Sequence, residues 1–274
     1  MSAGKYILHD GAFVPTEEFR LGLNDVQSLR LTEKFRAVRT SFPFFTESLE
    51  MLKLKLVVFN LEFPEFTERS GAGLLRQMSR TLTKNKFFMG ACLTVSVWQS
   101  NAKVHYSIQP EKLEFADYTL NEKGIYVDVF DKIQKPVSAL SNLTTGSELF
   151  WKVAQAQQPE GIDEMLIMNT DDLIIEAPES NIYLISGNKV IATNGECGAY
   201  LDVTRSVMVK IFRQMKMEIT YNEGISVADL ENAEEIMLVN SVDGIRWVAG
   251  YSGKRYFNTI IKKVQSLFGQ LAVS

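Results

Sequence analysis

The chain has 274 residues, of which 46% are hydrophobic and 23% charged, and its formal net charge is −4. At ~100–200 residues per domain, that is one large domain or two smaller ones with enough chain to bury a core. The composition excludes a disordered, collagen-like or coiled-coil protein, and a pI near 5.4 argues against nucleic acid as a partner, which requires a basic footprint.

The opening MSAGKYILHDG has no basic segment leading into an apolar one, so no secretory leader is expected. No apolar run approaches the ~18 residues of a membrane span. Two cysteines, Cys92 and Cys197, make no disulfide framework, and the expected compartment is the reducing cytosol. The sequon at Asn142 then reads as a chance match.

Residues 5–14 predict two short strands about an Asp10-Gly11 turn. The stretch 15–34 is polar with weak periodicity. Phe45, Leu49, Leu52, Leu56 and Phe59 recur at helical spacing, with Thr46 placed to cap. Residues 67–84 predict a second helix with Leu74, Leu75, Met78 and Leu82 on one face, and 89–98 and 104–108 predict strands. The polar stretch 109–124, with Pro110 and Gly124, divides a small N-terminal α+β domain (1–118) from a larger C-terminal domain (119–274).

The second half opens with a strand at 125–130, a loop through Pro136 and a helix at 147–157 carrying Leu149, Phe150, Val153 and Ala154. Four strands at 165–169, 173–177, 181–185 and 189–193 predict a meander. A helix at 204–215, a helical turn at 226–230, strands at 235–240 and 245–251 and a helix at 257–271 close the chain. Strands outnumber helices here and mostly neighbour one another, which favours a mixed or barrel-like sheet over a doubly wound one.

Generic catalytic motifs are absent: no GxSxG, Walker A or GxGxxG occurs. The histidines, His9 and His105, lie 96 positions apart, and no CxxC, HxxH or HExxH spacing exists. No conventional metal site is therefore expected. Asp171, Asp172, Glu176 and Glu179 could serve as acid/base carboxylates, but their loop setting favours solvated turn residues.

Several stretches, in order and at matching spacings, give a sharper reading. They are YILHDGAFVP (6–15), IIEAPESNIYLISGNKVIAT (174–193), YLDVTR (200–205) and DLENAEEIMLVNSVDGIRWV (229–248). Together they resemble the class IV aminotransferases, the fold-type IV pyridoxal-phosphate (PLP) family that includes branched-chain aminotransferases and aminodeoxychorismate lyase. The resemblance implies a two-domain α+β fold with a cofactor pocket at the domain interface, and a homodimer. It implies that Glu176 faces the pyridine nitrogen. Val203 and Thr204 would bind the phosphate through backbone N–H groups at a helix N-terminus, with Ser241 adding a hydroxyl.

The departures fall on the chemistry. Thr144 stands where the family's Schiff-base lysine belongs and can neither form that bond nor shuttle its proton. The nearest lysines, Lys135 and Lys152, are nine positions before and eight after, which argues against a simple transfer of role. Met51 stands at the phosphate-arginine position and Ser48 at a histidine position. Asp202 replaces a phosphate-loop glycine, and residues 25–33 diverge from the pocket-shaping segment. Losing a charge-assisted phosphate contact removes ~1.5–3 kcal/mol of binding.

Three readings follow. The first is a degenerate family member that binds PLP non-covalently, binds a small anion, amino acid or keto acid, or partners other proteins. The second is an active PLP-dependent aminotransferase or lyase using another lysine or non-covalent PLP. The third is a non-enzymatic structural, binding or partner module on an unrelated fold.

Overall fold

The computed structural model describes residues 2–67 and 70–273. Two compact units emerge, one running through Asp117 and the other from Tyr118 to Ala272.

In the first unit, β1 (Ser2–Ala3), β2 (Tyr6–His9), β3 (Ala12–Pro15), β4 (Arg30–Val38), β5 (Gly90–Ser100) and β6 (Lys103–Lys112) form an antiparallel sheet ordered β3-β2-β6-β5-β4, with β1 also on β6. Asp10 and Gly11 turn the first hairpin with φ of 47° and 84°, the left-handed pair such a tight turn requires. Among the described residues three α-helices accompany the sheet: α1 (Leu23–Gln27), α2 (Phe45–Val58) and α3 (Ala72–Asn85). Leu49, Leu52 and Leu56 of α2 join Leu74, Met78 and Leu82 of α3 and the strand residues Leu31, Phe35, Leu93 and Val95 in one core.

The structure corrects several expectations here. The polar stretch 15–34 contains α1 and the start of β4. The residue before α2 is Phe44, in the left-handed region, and Thr46 lies inside the helix without capping it. α3 starts only at Ala72, after Gly71 at φ 72°, and Leu75 faces solvent.

In the second unit, nine strands follow: β7 (Ile125–Lys135), β8 (Glu164–Asn169), β9 (Ile174–Glu176), β10 (Asn181–Ser186), β11 (Lys189–Thr193), β12 (Glu218–Asn222), β13 (Glu235–Asn240), β14 (Gly244–Tyr251) and β15 (Lys254–Arg255). Their order is β12-β11-β10-β13-β14-β7-β8-β9, with β15 on β14. The pairs β11/β12, β14/β7 and β7/β8 are parallel, so the sheet is mixed. The expected four-strand meander is thereby replaced. β8 and β9 end one side of the path, while β10 pairs with β13 near the other. Ala177 and Ser180 bridge the tight turn between β9 and β10.

Four helices complete this unit: α4 (Thr144–Ala156), α5 (Arg205–Gln214), α6 (Val227–Asn232) and α7 (Thr259–Val273). α4 buries Ser147, Trp151 and Ala154; of the four residues expected inward, Ala154 is buried, Phe150 and Val153 are half-buried and Leu149 is exposed. No helix among the described residues is long and apolar enough to cross a membrane.

Candidate functional site

Three elements of the second unit converge on one carboxylate. Glu176 ends β9 and Lys135 ends β7; both are 0% exposed. The Lys135 ammonium donates to both oxygens, at 2.8 Å to Oε1 and 2.7 Å to Oε2. From α4, Trp151 Nε1 donates to Oε1 at 2.6 Å. The backbone N–H of Tyr200 donates to Oε2. Trp151 and Tyr200 meet edge to face with centroids 5.1 Å apart, closing an aromatic wall beside the ion pair.

Glu176 thus accepts four hydrogen bonds, which fills the capacity of a carboxylate. Burial pushes its carboxyl above the ordinary range, with Lys135 pulling it back. Burial likewise lowers the Lys135 ammonium, with Glu176 opposing. The acidic group considered from sequence therefore divides. Asp171 and Asp172 are exposed, whereas Glu176 is wholly internal. Lys152 is an exposed partner of Glu148 and takes no part.

A second buried carboxylate, Asp202, sits just before α5 and is 4% exposed. Its Oδ1 accepts from the Thr204 backbone N–H at 2.9 Å and from Thr204 Oγ1 at 2.6 Å. Its Oδ2 lies 3.3 Å from Ser241 Oγ and 3.4 Å from the Tyr200 hydroxyl. Asn181 links the two carboxylates. Its amide donates to the Tyr200 carbonyl and its Oδ1 accepts from the Asp202 N–H at 3.2 Å. Thr204 and Ser241, expected to hold a phosphate, are brought together on Asp202, while Val203 contributes only its place in the same turn. α5 begins at Arg205, with Thr204 as the residue preceding it.

Thr144 is the first residue of α4 and is partly exposed. Its surroundings are tight. A Cβ at Gly146 would lie 2.1 Å from the Leu140 carbonyl oxygen, and Ser147 Oγ donates to the Ser141 carbonyl at 2.8 Å. Met51 lies half-buried on α2 of the first unit. One turn on, Lys55 is fully buried on Glu33 at 2.6 Å.

Sequence reasoning missed Trp151 and Tyr200 as carboxylate partners and dismissed Lys135. Its strand ends in the polar run Asp131-Lys132-Ile133-Gln134-Lys135, so no local signal marks Lys135 as the buried member.

A small antiparallel sheet and a larger curled mixed sheet define the fold-type IV architecture. Residues 33–251 match Amino-transferase class IV, and the chain belongs to that family. Solved structures agree on the fold. The branched-chain amino acid aminotransferase of Escherichia coli superposes with a TM-score of 0.83 at 14% identity, over 98% of this chain and 94% of that one. A putative 4-amino-4-deoxychorismate lyase from Legionella pneumophila gives 0.80 at 20%, over 93% and 97%. A hypothetical aminotransferase from Mycobacterium tuberculosis, in its PLP-bound form, gives 0.78 at 15%, over 98% and 99%. A comparison with curated protein sequences gives no match.

Proposed function

We propose that this chain is a class IV family member that has given up lysine-dependent transamination and lyase chemistry and works as a binding or partner protein. The observation that carries this reading is the Lys135 ammonium on both oxygens of Glu176.

PLP supplies an electron sink that is coupled to the protein through a lysine at one end of the pyridine ring and a carboxylate at the other. The ring must stand between those two groups. Here they touch. Lys135 occupies the place where a protonated ring nitrogen would meet Glu176, and Asp202 takes the donors that would meet a phosphate. The carboxylate of Asp202 also repels a phosphate dianion. The side chains present do not fit the cofactor.

The test is an absorption spectrum of the purified protein with and without added PLP, followed by borohydride reduction and intact-mass analysis. The expected result is no visible band and no mass increase. A reduced adduct on Lys135 would overturn the proposal and favour the second reading, an active enzyme using a relocated lysine. The lowered proton affinity of the buried Lys135 amine is what supports that alternative. A homodimer in the cytosol belongs to the same proposal, and sedimentation equilibrium tests the dimer.

A further inference from the structure

The chain's two histidines, far apart in sequence, come together in the first unit. The antiparallel register sets His9 of β2 opposite Ser107 of β6 and His105 opposite Trp98 of β5. Because alternate strand residues share a face, His9, His105 and Trp98 all project from one side of the sheet. Asp10, at the hairpin turn, bends its carboxylate toward them. Its Oδ2 lies 2.7 Å from His105 Nδ1 and 3.9 Å from His9 Nε2. One ligand-capable atom from each of the three residues lies within 4.8 Å of the others.

We propose that His9, Asp10 and His105 form a binding site for a divalent transition ion of the zinc class. Four features carry it. First, the donor set is two imidazoles and one carboxylate, the combination that suits borderline divalent metals. Second, ligands of a tetrahedral zinc stand about 3.3 Å apart, a spacing bracketed by the 2.7 and 3.9 Å separations.

Third, the Nδ1 proton of His9 is fixed. Its Nδ1 lies 3.1 Å from the Tyr106 carbonyl, which can only accept, so Nδ1 carries a proton and Nε2 is the ring nitrogen turned toward Asp10. A backbone carbonyl on the second ring nitrogen is the support that metal-bound histidines use. Fourth, the rings are held before any ion arrives. Buried Trp98 stacks on His9 at 5.7 Å and on His105 at 5.8 Å, and Phe19 meets His9 edge-on at 5.4 Å.

Trp98 is anchored in turn by a 3.1 Å hydrogen bond from Nε1 to Asp25 Oδ1, with the Arg30 guanidinium over its ring. Asp10 Oδ1 is used separately, accepting the Tyr106 N–H at 2.9 Å, so Oδ2 remains for the ion. On binding, His105 moves its proton from Nδ1 to Nε2 and Nδ1 becomes a ligand. The three side chains are 20–29% exposed, which leaves a coordination position open to water.

The experiment titrates metal-stripped full-length protein with Zn2+ by calorimetry and with Co2+ by visible absorption. The expected result is one ion per chain, with Co2+ bands in the ligand-field region. H9Q and H105Q, checked for folding by circular dichroism, should each weaken Zn2+ binding at least about tenfold, and the double variant should abolish the Co2+ bands. No heat beyond dilution would overturn the site and leave a hydrogen-bonded structural triad. Binding retained in the folded double variant would overturn it equally, by placing the ion elsewhere.

Discussion

Lys135 Nζ and Glu176 meet at 2.7 Å across 41 residues of sequence, both wholly buried. Removing one member of such a pair strands the other charge and costs about 3–5 kcal/mol. Glu176→Gln should destabilise by about that much, because it leaves an ammonium in an apolar wall. Lys135→Met should cost less, since Trp151 and the Tyr200 N–H still serve the carboxylate. The double substitution K135M/E176Q should be more stable than E176Q alone. Urea midpoints at constant m-value measure all three. Additive costs would mean that the two groups do not interact.

The cradle can be reopened. Asp202→Gly releases the Thr204 N–H, Thr204 Oγ1 and Ser241 Oγ together, and K135M frees Glu176. The triple variant T144K/K135M/D202G, checked for folding, should bind PLP at least about tenfold more tightly than the natural chain, in line with the ~1.5–3 kcal/mol of one charge-assisted contact. It should also yield a borohydride-stable adduct at position 144. Equal affinity would show that the pocket was remodelled beyond these three positions.

Short motifs single out Glu176, Thr204 and Ser241 in the sequence, and all three are buried. What fills the site was not legible there. Lys135, Trp151 and the Tyr200 N–H reach Glu176 from three separate elements, and no local spacing encodes that. The same limit hid strands. β4 alternates inward residues as Leu31, Glu33, Phe35 and Ala37, and Glu33, buried in an ion pair with Lys55, breaks the apolar rhythm. β12 is a largely exposed edge strand in parallel pairing with β11, so it shows no apolar face to read. The meander failed for a related reason: β10 and β11 do form a hairpin, but adjacency in sequence says nothing about β10 joining β13.

Two glycines should respond to alanine in opposite directions. Gly146 packs its α-carbon against the Leu140 backbone carbonyl, which cannot swing aside as a side chain would. G146A should destabilise by at least about 1–3 kcal/mol. Gly269, within α7, has open space around its missing Cβ. There alanine should stabilise by about 0.5–1 kcal/mol, through a less disordered unfolded chain. Thermal midpoints of the two variants check the pair, and a neutral G146A would contradict the close packing at the start of α4.

Glu164 gives a pH signature. Burial pushes its carboxyl above the ordinary 4.5, and Arg246, at 3.0 Å, pulls it partly back. A group with a raised folded pKa contributes stability that is complete below its unfolded value and is lost as pH climbs through the folded one. Over that window the native chain holds more of a proton than the unfolded chain, so stability falls with rising pH. Glu164→Gln abolishes the titration. The stability of the natural chain minus that of E164Q should therefore decline as pH rises from about 4.5 and then level off once Glu164 is ionised in both states. Denaturation curves at intervals of pH measure the difference. A difference that rises with pH would mean that Arg246 outweighs burial and holds the carboxylate ionised from the acid side.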